Sequence, residues 1–217
     1  MSSIYIALIA DATASRALPP PRRARLQHAL RRALPEFNRR WRTALAARFA
    51  LTLGDEVQAL LTTADPVWAI SHEVRCRFPD VEWVVACGRG TIATRLERGT
   101  TAPEVDGPCF HAARTAMEQA KRRRLLLAFG GFGPAVEPLA SYYSALYWSW
   151  TPRQRRAATL LRLGPPAFAA AQLKVDRSAV SHLSRRMAWP LVAAGDKMFR
   201  ATQIGRASCR ERVFITV

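Results

Sequence analysis

Lysine is almost missing from this chain. Only Lys121, Lys174 and Lys197 occur in 217 residues, so nearly all of the 33 basic side chains are arginine. Acids are also scarce: 16 Asp and Glu leave a formal charge of +17 and a pI near 11.3. There is no Cys-x-x-C pair. Cys76, Cys87, Cys109 and Cys209 are scattered, which argues against a zinc knuckle or a disulfide framework and for a reducing compartment. No apolar run approaches the roughly 20 residues of a membrane span. The apolar run Ile4–Ala10 has no basic residues before it and stops at Asp11, unlike a signal peptide. Repeats and low-complexity segments are absent too. These absences predict a cytoplasmic protein with no membrane partner.

What is present is apolar content of 49%, enough for a packed core. A GC-rich gene would yield the same arginine bias, so the placement of charge matters more than its sum. Residues 1–150 hold 20 basic and 13 acidic side chains, whereas residues 151–202 hold 10 and 2. The density at the C-terminal end predicts a polyanionic partner there.

The organising stretch is Phe49–Leu61, FALTLGDEVQALL, which reads as strand, Gly54-Asp55 turn and strand. Upstream, Ile4–Ala10 is a buried strand ending at Asp11. A carboxylate at a strand end and another in a hairpin turn form a plausible pair for one Mg²⁺, which one or two carboxylates hold together with phosphates and water. Between them, Pro19-Pro20-Pro21 starts a helix whose inner face is Leu26, Leu30, Leu34, Phe37 and Trp41, with arginines outside. Pro35 is expected to kink or split it. A second helix carries Trp68, Ile70, Val74 and Phe78. Strands follow at Val81–Cys87 and Thr91–Leu96, then a helix opened by Asp106-Gly107-Pro108 and closed by Lys121–Arg124, a strand Leu125–Phe129 and an aromatic helix Pro134–Trp148. The expected fold is α+β, with helices on an antiparallel-type, ferredoxin-like sheet over residues 1–133 and a connecting helix over 134–150.

Residues 151–202 read as an all-α unit. Thr151 caps a helix beginning at Pro152, Gly164-Pro165-Pro166 ends it, and a short helix Ala167–Leu173 leads through Lys174-Val175-Asp176 into a helix over Arg177–Met187. Ala170, Val175, Val180 and Leu183 fall where a helix-turn-helix needs small or buried residues. The outer side of the last helix would then present Arg177, Ser178, Ser181, His182 and Arg185 to double-stranded DNA, and Asp176 would cap it. A plain three-helix packing unit fits the same pattern. LxVxxSAVSxxxRR resembles the bacterial helix-turn-helix family, except that Lys174 stands where glycine is usual for a left-handed turn. Residues 203–217 are expected to be an artefactual tail, because QIGRASCRERV back-translates to a string resembling sequencing-adapter read-through.

IALIADATASRAL, RFALTLGDEVQALL, Gly88 and Gly90, VDGPCFHAARTAMEQAK and WTPRQRRAATLL together resemble the SatD family of bacterial proteins. The first domain is more distantly similar to class III nucleotidyl cyclases. That similarity implies metal positions at Asp11 and Asp55 and nucleotide contacts at Gly54, Gly107 and Arg114. The match is partial. Leu51 stands where cyclases carry a base-selecting lysine, and His111 and Arg114 are three apart where cyclases place asparagine and arginine four apart.

The expectation is a DNA-binding transcriptional regulator, a homodimer with a domain that binds metal and a nucleotide ligand. The alternative is a Mg²⁺-dependent nucleotidyl- or phosphoryl-transfer enzyme using Asp11 and Asp55, and a scaffold is a third option. Plainer roles stay open. Asp55 fits an ordinary turn, Asp11 a cap, His111 a satisfied helix histidine, Gly88 and Gly90 a strand bend, Glu56 a solvent-facing side chain, and Cys87 and Cys109 core fillers.

Overall fold

A computed structural model describes residues 3–52 and 54–204. Its strands are β1 (Tyr5–Thr13), β2 (Leu45–Leu51), β3 (Glu56–Leu61), β4 (Glu82–Gly90) and β5 (Leu127–Gly130). Its helices are α1 (Pro20–Arg40), α2 (Val67–Arg77), α3 (Pro108–Arg123), α4 (Val136–Ser149), α5 (Pro152–Leu163), α6 (Pro166–Leu173), α7 (Arg177–Arg186) and α8 (Trp189–Ile204). The class is α+β. One five-stranded sheet runs β2-β3-β1-β4-β5, antiparallel except for the parallel β4–β5 pair, so it is mixed.

Side chains of a strand alternate between faces, and β1 shows what that does here. Ile6, Leu8, Ala10 and Ala12 join the layer built by α1, α2 and α4, while Ala7 and Ile9 face α3. Leu8, Ile9, Leu60 and Leu61 are fully buried, each contributing roughly 1.5–3 kcal/mol. The α3 layer is held close by glycine. A Cβ on Gly88 would sit 2.0 Å from the Cys109 carbonyl oxygen and 2.3 Å from the Ala113 nitrogen. Gly88 therefore lets the backbone of α3 rest directly on β4, and Gly90 does the same beside Cys109 at 3.0 Å. Cys87 and Cys109 fill the core as expected.

Four elements differ from the sequence reading. Pro35 lies inside an uninterrupted α1. It sits on the exposed side, where water can take the carbonyl its missing N–H leaves free, while Leu30, Ala33 and Phe37 anchor the other side. Residues 91–96 form no strand; the Ala93 N–H donates to the Asp106 carbonyl instead, folding that segment against the start of α3. Asp65-Pro66 reads in the sequence as the cap and first turn of the second helix, but the N-cap position of α2 is Pro66 and no side chain caps it. Finally, α8 follows α7, with Val192, Asp196 and Phe199 buried at helical spacing. Residues 205–217, most of the expected artefactual tail, lie outside the described residues.

The core does not stop at residue 150. Ala157 and Ala158 of α5, Met187, and Val192 and Phe199 of α8 belong to the same apolar cluster as α2 and α4. Within this seam Arg162 donates to both Asp196 oxygens, at 2.7 and 3.0 Å, with both side chains only 6% exposed. The guanidinium also packs over Trp68, Tyr143 and Trp189. Next to it His72 stacks edge-on against Trp68 with centroids 4.6 Å apart. Burial, reinforced by Arg162, Arg75 and Arg200, pushes the His72 imidazole well below its ordinary value, so the folded protein holds it neutral. Arg75 forms no salt bridge among the described residues; its guanidinium donates to the carbonyls of Ser71, Trp83 and Leu126, tying α2 to the start of β4 and β5.

Candidate functional site

Two places in the molecule gather the residues that carry chemistry. The first is the rim where β1 ends and β3 begins. Asp11 and Glu56 are direct cross-strand partners, so their side chains leave the same face, which is the face covered by α3. The Asp11 carboxylate accepts from Lys121 Nζ at 2.8 Å. Glu56 is gripped by Arg114 through both oxygens, at 2.6 and 3.0 Å, and accepts from Gln58 Nε2 at 2.7 Å. Burial alone would raise the Glu56 carboxyl, but the hydrogen bonds from Arg114, Gln58 and Thr52 prevail and hold it below its ordinary value. Glu56 is thus a half-buried ion-pair partner rather than a solvent-facing side chain. The signal for it was available: alternation along β3 and a three- to four-residue stride on α3 put Glu56, Arg114 and Lys121 on facing surfaces.

Asp55 is one residue from the Asp11–Glu56 pair. It is 9% exposed, and its Oδ2 is buried without a hydrogen-bond partner among the described residues. Gly54, φ 95°, supplies the left-handed turn before it. As a metal centre the rim is short of donors, since Lys121 and Arg114 occupy two of its three carboxylates. Among the described residues no group of three or more His, Cys, Asp and Glu side chains is placed to hold an ion. The orphan oxygen of Asp55 is the feature that fits a cation. Gly107 sits at the N-cap of α3 with φ 147°, where a Cβ would lie 2.6 Å from the Ile92 Cα, so close packing already requires glycine there. His111 is exposed and reaches Asp106 at 3.1 Å.

The second place is α7. Thr151 and Gln154 form a reciprocal capping box that starts α5, with Pro152 as its first residue. Helix α6 then ends at Lys174, whose φ of 54° and ψ of 51° are left-handed, a conformation that costs a lysine about 1 kcal/mol relative to glycine. The Lys174-Val175-Asp176 turn re-aims the chain into α7. Leu160, Ala169, Ala170 and Val180 form a small core of their own beneath it, with Leu173 and Val175 packed against them. Asp176 occupies the N-cap position but makes no capping hydrogen bond. Arg177, Ser178, Ser181, His182 and Arg185 are all exposed. Arg185 Nη2 lies 3.0 Å from His182 Nδ1, and no carboxylate pairs with any of these cations among the described residues.

Fold and rim together define a class: an α+β sheet protein whose first strand and hairpin present ion-paired carboxylates under a crossing helix, extended by four further helices. Residues 5–124 match the family model of the SatD family, and the chain belongs to that family. The match runs from β1 to the last turn of α3, so it covers the rim and ends before α5–α8. A comparison with curated proteins finds no match.

Proposed function

We propose that the protein is a DNA-binding regulator whose α7 enters the major groove. One observation carries this reading: a helix reached through a left-handed three-residue turn, seated on its own small core, turns five polar or cationic side chains outward with no carboxylate paired to them among the described residues. Arginine pairs bidentately with guanine, and serine and arginine clamp phosphates. The charge of residues 151–202, ten basic against two acidic, favours a polyanion over an acidic or neutral partner. Such modules read paired half-sites, so the working species is a homodimer. The test is selection of duplexes from a random pool by the full chain, with Arg185→Ala relaxing the preference at one base position. Retention of random and selected duplexes alike, unchanged by that substitution, would remove the reading.

The rim supports a second role in the same molecule. The order 2-3-1-4 of the antiparallel strands β1–β4 supports a ferredoxin-like, cyclase-related reading of the first domain. With Asp55 Oδ2 unpartnered, Asp11 and Asp55 would hold Mg²⁺ against the phosphates of a nucleotide, and Gly54, Gly107 and Arg114 would line its approach. A nucleotide that binds the native state raises the thermal midpoint, by an amount corresponding to about 2.7 kcal/mol at a hundred times Kd. The expected result is a rise with Mg²⁺ and ATP or GTP that Asp55→Asn abolishes. No rise with either nucleotide would leave the rim a structural ion-pair cluster.

A further inference from the structure

Helix α1 carries seven arginines against one acid, Glu36, and all seven occupy exposed positions. Glu36 is already paired with Arg77 of α2. Arg22 and Arg25, one turn apart, have no ion-pair partner among the described residues. Like charges at that spacing weaken a helix. They line one wall of a cavity of about 600 Å³ between the first turns of α1 and the segment Arg77–Val81, with Leu26 and Phe78 as an apolar floor and Asp80 at its edge. Pro79 and Val81 also line a second hollow of about 210 Å³, where Arg155 of α5 is paired with Glu82 at 3.3 Å and Arg156 is exposed. Helix α5 in turn packs against α6 and α7.

We propose that this trough is a second DNA-backbone surface, with Arg22 and Arg25 taking phosphates of duplex that flanks the segment read by α7. The inference deepens the DNA-binding reading and rests on it. Planar guanidiniums match phosphate bidentately, and the apolar floor suits the sugar between two phosphates. An anionic membrane is the less fitting polyanion. A helix lying in a bilayer surface needs an unpartnered apolar face, and α1 has spent its own: Leu30, Ala33 and Phe37 are buried in the core.

The decisive variant is Arg22→Gln/Arg25→Gln. It alters only exposed positions and keeps a good helix former, and an unchanged melting curve verifies that it folds. Binding of the full chain is followed by fluorescence anisotropy over a salt series, on duplexes of about three helical turns and of about one. Each lost phosphate contact lowers the salt slope by about 1. The variant is expected to bind the long duplex on the order of 10-fold more weakly, independently of sequence, with a slope reduced by about 2. It should match the wild type on the short duplex. Equal affinity and slope on the long duplex overturn the proposal, as does binding to phosphatidylserine vesicles but to no duplex. Arg177→Ala/Arg185→Ala separates the two readings: loss by that pair with none by the α1 pair overturns the trough alone, whereas loss by the α1 pair with full binding by the α7 pair overturns the α7 reading and with it the flanking role proposed here.

Discussion

The rim and α7 are both rich in charge, and they differ in where that charge is answered. At the rim Asp11 meets Lys121 and Glu56 meets Arg114, so the field closes inside the molecule. On α7 Arg177 and Arg185 face solvent with no carboxylate paired to them among the described residues. A closed pair contributes to the folded state and is available to a ligand only by exchange. An open cationic face contributes almost nothing to folding and is the form a polyanion recognises. Stability and binding measurements should therefore separate the two regions cleanly.

The largest expected effect on stability comes from the glycine beneath the rim. Gly88→Ala places a Cβ against the Cys109 carbonyl and the Ala113 nitrogen. It forces α3 off β4 and is expected to cost about 3 kcal/mol or more, read by denaturant unfolding. Next, Arg114→Ala removes a two-pronged grip on a mostly buried carboxylate. About 1–2 kcal/mol is expected, discounted because the guanidinium is half exposed. Arg185→Ala, on the open face, should stay within about 0.5 kcal/mol of wild type. Equal losses from the two arginine substitutions would erase the contrast.

Acid supplies a smaller effect with a defined sign. His72 is held below its ordinary 6.5, so its neutral form is the folded one; stability is full above pH 6.5 and declines as pH falls below it. Glu56 is held below its ordinary 4.5, so its contribution is full above pH 4.5 and is lost as pH falls through its lowered value. Melting curves from pH 8 to about pH 3 should show both declines. His72→Phe, which keeps the ring against Trp68, should remove the upper one, and Glu56→Gln the lower one. A flat profile down to pH 5 would mean that His72 is not buried neutral.

Much of this was legible in the residues themselves. The Gly54-Asp55 turn, the Gly107-Pro108 helix start and the Thr151-Pro152 cap are local signals that each mark an element boundary, whereas the run Ile4–Ala10 locates β1 but not its end, since pairing with β4 carries the strand past Asp11 to Thr13. The left-handed Lys174 could be located through the resemblance to the helix-turn-helix pattern, in which glycine is usual at that position. What escaped depends on tertiary contact. Pro35 survives because its free carbonyl is on the wet side, which a periodicity count does not weigh. Gly88 and Gly90 read as a bend because the approach of α3 is invisible in sequence. The parallel β5 depends on where a crossover helix packs.

The account turns on α7. The most direct measurement is anisotropy of a selected duplex with the wild-type chain and Arg177→Ala/Arg185→Ala over a salt series. Linear loss of log affinity with log salt, and a drop on the order of 100-fold in the variant, are the predicted result. Identical binding by the two proteins, or no duplex binding at low salt, would contradict it.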